Sequence, residues 1–353
     1  MRIAQIAPLY EAVPPRLYGG TERIVAYLTD ALVDLGHDVT LFAAADARTH
    51  ATLVPVRDQS MRLDPEPLKS DLAAHLAMLH EVRRRRHEFD ILHFHVDLLH
   101  FPLFEECPQR TLTTLHGRLD LKDLPDTYRR WPHFPLVSIS DHQRRPLRFA
   151  NWIGTVYHGL PETPHAFNPR PRGDYLAFLG RISPEKRPDR AIRIARAAGL
   201  PLKIAAKVDQ ADRAYFHDEI QPLLADPNVE YLGEIGERDK PDFLGNARAL
   251  LFPIDWPEPF GLVMIEAMAC GTPVIAWPCG SVPEVVDDGL TGRVVQSEEE
   301  AAAAVAEVAG FDRRRIRDVF ERRFSARAMA LGYEALYGQL LQAPESAGRL
   351  RMA

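Results

Sequence analysis

The sequence predicts an α/β chain built as two doubly wound, parallel-sheet domains, and three observations carry that prediction. Its 353 residues suffice for two domains of ordinary size. In both halves, short apolar runs alternate with amphipathic or polar stretches of helical period, the pattern of successive βαβ units with right-handed crossovers. A Pro-rich polar stretch, Leu160 to Gly173, interrupts that alternation and reads as an interdomain linker. The expected domains are therefore 1–165 and 170–325, followed by a helix over 326–345.

The first domain opens with a strand over Arg2–Ala7 and a loop holding Pro14, Pro15, Gly19 and Gly20. Thr21–Leu35 has the apolar period of a helix, and Gly36 ends it before the strand Asp38–Ala44. Further strands are expected at Ile91–Phe94, Thr111–Leu115, Leu136–Ile139 and Gly154–Tyr157, with a helical connector over Ser70–His87. Arg48–Lys69 and Arg118–Arg130 read as irregular loops. In the second domain, strands are expected at Tyr175–Leu179, Leu202–Ala206, Val229–Leu232 and Ala249–Pro253. Helices are expected at Asp189–Ala198, within Ala211–Leu224, at Lys240–Ala247 and at Leu262–Ala269, and Gly271 stops the last before a Val-Ile-Ala strand. The acidic, Ala-rich Glu298–Ala304 reads as a surface helix start, and Ala326–Leu341 as a helix. Two Rossmann-like domains facing one another follow, with ligands at the carboxyl ends of the strands, in the cleft.

The bulk numbers narrow the function class. A net charge of -6, with no strongly basic domain, argues against a broad nucleic-acid-binding role. The dense basic run Arg83–Arg86 has acidic flanks and reads as a solvated helix end. Three scattered cysteines, Cys107, Cys270 and Cys279, make no disulfide framework, and Cys270 reads as a buried core residue. No window approaches eighteen uninterrupted apolar residues and the N-terminus is no secretory h-region, so a cytoplasmic location is expected, with peripheral membrane contact left open.

The densest chemical signal is Glu258-Pro-Phe-Gly-Leu-Val-Met-Ile-Glu266. It sets two carboxylates eight positions apart, the first in a loop and the second in a helix. The helix start offers amides at Phe260, Gly261 and Leu262, an anion site suited to phosphate. Glu266 lies five residues further on, about 7–8 Å along the axis at 1.5 Å per residue. That is roughly the reach from a nucleotide's distal phosphate to its ribose diol, and a carboxylate can accept from both hydroxyls. As a lone pair the two would be surface carboxylates, but the helix is too apolar for Glu266 to sit without a partner. Arg181 and Lys186 follow the Tyr175–Leu179 strand and suit a diphosphate, although Pro184, Glu185 and Pro188 equally make a surface turn. Gly19-Gly20 lets backbone approach a ligand closely, and Glu22 just beyond reads as a favourable charge in the first helical turn. His93 and His95 alternate along a strand and face one side, but with no third ligand of matching spacing zinc is rejected, leaving His95 as a cleft candidate.

Together these motifs resemble the Glu-x7-Glu pattern of the retaining, nucleotide-sugar-dependent glycosyltransferases of family 4, with Gly19-Gly20, Gly180-Arg-Ile-Ser-Pro-Glu-Lys186 and Gly280-Ser-Val-Pro-Glu284 in the matching order. The resemblance implies a GT-B fold and sugar transfer from a nucleotide sugar, UDP-sugar favoured, to an acceptor hydroxyl with retention of configuration. It implies no cofactor and no metal, in keeping with the absence of any Asp-x-Asp triplet. It places Arg181 and Lys186 on the diphosphate, Glu266 on the ribose, Glu258 on the transferred sugar and His116 beside the same ring. It also has the terminal helix cross back onto the first domain. One departure stands out: where many members carry Val-x-Asn-Gly, this chain reads Val156-Tyr-His158-Gly159. An epimerase or hydrolase of the same architecture, and a sugar-nucleotide-binding protein without turnover, are the alternatives.

Overall fold

The computed structural model describes residues 1–16, 19–163 and 167–342. Contacts divide the chain into two units: Met1–Gly159 together with the segment from Ala326 onward, and Leu160–Ser325. Each is a parallel sheet with its own apolar core.

In unit 1 the strands are β1 (Arg2–Ile6), β2 (Asp38–Ala44), β3 (Thr52–Arg57), β4 (Ile91–Phe94), β5 (Thr111–Thr114), β6 (Leu136–Ser138) and β7 (Trp152–Thr155), with helices α1 (Gly20–Asp34), α2 (Asp71–Arg85) and α3 (Leu124–Arg130). The sheet order is β3-β2-β1-β4-β5-β6-β7. Ile3 faces Val39 on one side and Ile91 on the other, so β1 is the point where the winding reverses. Phe42, Phe94, Phe101 and Phe104 fill the core under α2 with Met78, Leu79 and Val82. Two stretches expected to be irregular contain elements. Arg48–Lys69 holds β3, whose Pro55 obscures it in sequence; β3 is an edge strand, where a missing ladder donor is tolerated. Arg118–Arg130 ends in α3. Arg83 and Arg85 pair with Glu106 and Glu88 at 3.0 and 2.7 Å, which makes the basic run a charge-compensated helix end.

Unit 2 contains β8 (Leu176–Arg181), β9 (Leu202–Lys207), β10 (Val229–Gly233), β11 (Ala249–Phe252), β12 (Val274–Ala276) and β13 (Gly292–Val294). Its helices are α4 (Pro188–Ala198), α5 (Arg213–Tyr215), α6 (Lys240–Gly245), α7 (Leu262–Ala269), α8 (Val282–Val285), α9 (Glu298–Val308) and α10 (Arg313–Arg323). The order β10-β9-β8-β11-β12-β13 reverses at β8. The single helix expected within Ala211–Leu224 is broken instead: α5 gives way to a π-helical segment over Phe216–Ile220 and a 3-10 stretch over Gln221–Ala225, where Pro222 removes a donor. The expected linker is tied down where it is described. Leu160 N donates to Phe324 O at 2.9 Å. Asn168 Nδ2 donates to Gly245 O at 3.1 Å, and Asn168 O accepts from Arg313 Nε at 3.0 Å. Its Pro164–Ala166 lie outside the described residues, as do positions 343–345 of the expected terminal helix.

The last helix, α11 (Ala326–Gln342), belongs to unit 1. It buries Tyr333 and Tyr337 completely and sets Leu336 against Gly154. The Tyr333 hydroxyl meets Thr114 Oγ1 at 2.9 Å, and the Tyr337 hydroxyl meets His93 Nδ1 at 2.7 Å. Among the described residues no helix is long and apolar enough to cross a membrane.

Candidate functional site

In unit 2 the candidate residues gather at the carboxyl ends of β8 and β11, the two strands flanking the winding reversal. Arg181 is the last residue of β8, and Pro184–Lys186 form one 3-10 turn beyond it. The loop after β11 carries Trp256 and the buried Glu258. Lys186 Nζ donates to Glu258 Oε2, and Trp256 Nε1 donates to the same oxygen at 3.1 Å. The Lys186 ammonium also lies 5.0 Å from the Trp256 ring and 5.7 Å from that of Phe252, so two aromatic faces share in holding it. Two residues 72 positions apart in sequence are thus one half-buried ion pair.

The Gly280-Ser-Val-Pro-Glu284 motif holds this loop in place. A Cβ on Gly280, at φ +62, would stand 2.2 Å from Glu258 O and 2.3 Å from Glu258 N, so only glycine admits the close approach. Ser281 N donates to Glu258 O at 3.0 Å, and Ser281 Oγ donates to Phe260 O at 2.6 Å. Gly261, at φ 80, then opens α7 with no side-chain cap and no acidic residue in the helix's own first turn.

Glu266 is 1% exposed, and its partner comes from another helix: Lys240 Nζ, in α6, donates to Glu266 Oε1 at 2.7 Å and also pairs with Glu237 at 2.5 Å. Arg181 has acidic company, with Glu185 at 2.8 Å, Asp209 at 3.5 Å and Asp212 at 3.8 Å. Burial pushes the Asp212 carboxyl up against the pull of Arg181. For Asp209 burial acts in the same sense, but hydrogen bonds and charge from Lys207 and Arg181 outweigh it and bring that carboxyl down. The sequence reading gives no site role to Lys240, Trp256, Asp209 or Asp212, and it carries Ser281 and Glu185 only as members of a motif and a turn. Only the apolar setting of Glu266, which demanded a partner, pointed toward any of them.

In unit 1 the candidates again lie past the strands at the reversal. Gly19 and Gly20 sit after β1 at the start of α1, where a Cβ on Gly19 would meet Pro15 at 2.8 Å. Glu22 is buried rather than a surface charge; it accepts from Glu11 N at 3.3 Å, and burial raises its pKa. His116 follows β5, with its Nε2 at 2.9 Å from His95 Nδ1. His95 Nε2 lies 2.8 Å from Gln5 Oε1, and the His93 and His95 rings meet tilted by 37° with centres 4.1 Å apart. His158, the departure from Val-x-Asn-Gly, stacks on His116 with ring centres 5.2 Å apart. Burial lowers all four rings: His93, His95 and His158 fall well below the usual range, and His116 goes to about 3. The cluster is neutral at pH 7. No group of three His, Cys, Asp or Glu side chains among the described residues is placed to hold a metal ion. Cys270 is fully buried, and burial raises its thiol to about 12.

Comparison with known proteins gives the family and the fold. Residues 162–312 match the Glycosyl transferases group 1 profile, and residues 18–153 match Glycosyltransferase Family 4. The chain belongs to the group 1, family 4 glycosyltransferases. It is 35% identical over 136 residues to the D-inositol 3-phosphate glycosyltransferase of Mycobacterium leprae, which is 35% of this chain and 29% of that protein. It is 32% identical over 124 residues to an uncharacterised protein of the Klebsiella pneumoniae cps region, covering 35% of this chain and 33% of that one. The chain thus spans about a third of the length of these curated relatives. Solved structures show the same GT-B fold. AviGT4, a glycosyltransferase involved in avilamycin A biosynthesis, superposes with TM-score 0.73 at 23% identity over 98% of this chain and 99% of its own. The sucrose-phosphate synthase of Thermosynechococcus elongatus gives 0.75 at 21% over 98% and 100%. Anabaena HepE, in complex with UDP and glucose, gives 0.72 at 17% over 96% and 100%.

Proposed function

We propose that this chain transfers a sugar from a nucleotide-sugar donor, a UDP-sugar by preference, to an acceptor hydroxyl with retention of configuration and without a metal. One observation carries the reading: the Lys186–Glu258 pair stands directly before the uncapped start of α7, with the buried Glu266 eight positions along the same segment. Lys186 gives one of its three donors to Glu258, and the others suit oxygens of a diphosphate. Arg181 reaches the same diphosphate by exchanging its carboxylate partners for phosphate oxygens. Amides at Gly261 and Leu262 add the partial positive charge of the helix end. Glu258 contacts hydroxyls of the transferred sugar, and Glu266, paired with Lys240, accepts from the ribose. The family relationship and the sugar-transferring relatives support this assignment.

In the reaction, the glycosyl–phosphate bond breaks and its electron pair stays on the departing diphosphate, where the cations and amides hold the charge that develops. The acceptor oxygen then bonds to the anomeric carbon from the same face, and its proton goes to a phosphate oxygen. The testing experiment screens a panel of nucleotide sugars for transfer and hydrolysis, with and without a chelator, and reads the first-formed glycoside from an α-linked donor by NMR. An α product with an unchanged chelated rate is expected; a β product or strict dependence on a divalent cation sinks the mechanism. Lys186→Ala and Arg181→Ala are each expected to lower kcat more than donor affinity, because the charge they meet builds in the transition state. A rise in KM alone would leave them as anchors only.

A further inference from the structure

Trp256 and Glu258 form one compact unit through both backbone and side chain. Glu258 N donates to Trp256 O at 2.8 Å across Pro257, a three-residue turn whose central φ the proline ring fixes. The turn brings the two side chains together, and Trp256 Nε1 donates to Glu258 Oε2 at 3.1 Å. Lys186 donates to the same oxygen. Two donors on Oε2 fix the carboxylate and leave Oε1 to accept from a hydroxyl. They differ in kind. The ammonium rides on a flexible stem and is drawn by any added anion, whereas the indole N–H is uncharged, only donates, and is carried by the turn itself. The indole is not part of the apolar core of unit 2. Its ring instead faces the Lys186 ammonium at 5.0 Å, a contact that tolerates a shift of the cation. Side-chain exposures of 15% for Lys186 and 12% for Glu258 leave both within reach of a ligand.

A diphosphate at Lys186 competes with Glu258 for the ammonium. Without a second donor, drawing Lys186 away would strand a half-buried carboxylate, and that cost would weaken diphosphate binding. We propose that Trp256 is a positioning residue that holds Glu258 in place while Lys186 turns from Glu258 toward a substrate diphosphate. The diphosphate rests on the sugar-transfer reading above; the hold of Trp256 on Glu258 does not.

NMR of the full chain labelled with 15N-tryptophan reads its four indoles, and Trp256→Phe identifies the one at issue. In the wild type the Trp256 N–H is expected downfield and slow to exchange. Glu258→Ala returns it to the free-indole position with the other three unmoved, and Lys186→Met leaves it where it was. UDP, ADP and GDP are then titrated by calorimetry. Trp256→Phe keeps an aromatic face for Lys186 but loses the N–H. It is expected to weaken the tightest of the three about tenfold, the lower end of what a hydrogen bond to a charged group contributes. In the Lys186→Met background the same change has no effect, because there is no ammonium to release; a merely structural indole would act equally in both. A Trp256 N–H freed by Lys186→Met overturns the proposal, as does equal weakening with and without Lys186. If none of the three diphosphates binds the wild type, the proposal fails together with the sugar-transfer reading. If one binds as stated and no sugar is transferred, that reading alone has failed.

Discussion

Glu266, at 1% exposure, pairs with Lys240, itself buried, at 2.7 Å. Pairs of this kind add little net stability, but removing one partner strands the other in a medium that cannot solvate it. Lys240→Met is therefore expected to cost about 3–5 kcal/mol in chemical denaturation, and Lys240→Met combined with Glu266→Leu to recover much of it. Equal losses in the single and double variants would show that the ion pair is not the cause. Sequence spacing made Glu258 and Glu266 legible because both lie on one short segment, and it showed that Glu266 needed a partner. It could not name Lys240, because α6 and α7 meet only in the folded sheet. For the same reason Arg181 and Lys186 were legible as cations after a strand, while Asp209 and Asp212, which reach Arg181 from the loop after β9, were not. The contacts of Gln5 with His93 and His95 had no signal beyond alternation, since they exist only once β1 and β4 are side by side.

At the scale of elements, the loop carrying Glu258 depends on a second loop that shares no helix or strand with it. Gly280→Ala would drive a methyl group into the Glu258 backbone at 2.2 Å and place alanine at φ +62. The expected outcome is a loss of at least about 1 kcal/mol in stability and a fall in kcat larger than the loss of folded protein explains. Steady-state rates normalised by circular dichroism check this, and normal kcat in folded Gly280→Ala would show that the Glu258 loop tolerates displacement. Elements set off by glycine, such as α7 between Gly261 and Gly271 and the β12 that follows, could be bounded in sequence to the residue. Elements whose pattern is interrupted could not. Pro55 hid β3 on the sheet edge, Pro222 split one expected helix into three kinds of turn, and β13 is only three residues long. The Arg-rich α10 passed unnoticed because its charge masked a buried face, where Arg313 donates to the carbonyls of Asn168, Ala247 and Gly245.

Across the whole molecule, the two units store ionisation energy of opposite kinds. Unit 1 buries His93, His95, His100, His116 and His158 as neutral rings, all lowered by burial. Their unfolded counterparts take up protons below about pH 6.5 while the native rings do not, so this stability is whole above that pH and is lost as pH falls. The slope is about 1.4 kcal/mol per pH unit for each ring. In unit 2, burial raises Asp189, but hydrogen bonds and charge from Arg187 and Arg193 outweigh it and bring it to about 2. Its contribution, about 2 kcal/mol, is present above about pH 4 and lost only as pH falls toward 2. Hydrogen exchange resolved by segment is expected to show unit 1 losing protection between pH 6.5 and 5 while unit 2 holds. Unit 2 opening first would contradict this division.

The return of α11 to unit 1 also has a consequence in time. A ribosome that has released β1 to β7 must still make Leu160–Ser325, which at roughly 5–20 residues per second takes on the order of ten seconds, before α11 can emerge. Throughout that interval Gln5, His93 and Thr114 have no tyrosine hydroxyls to meet and their sheet face stays wet. The half of the protein that is begun first is therefore the half that is finished last.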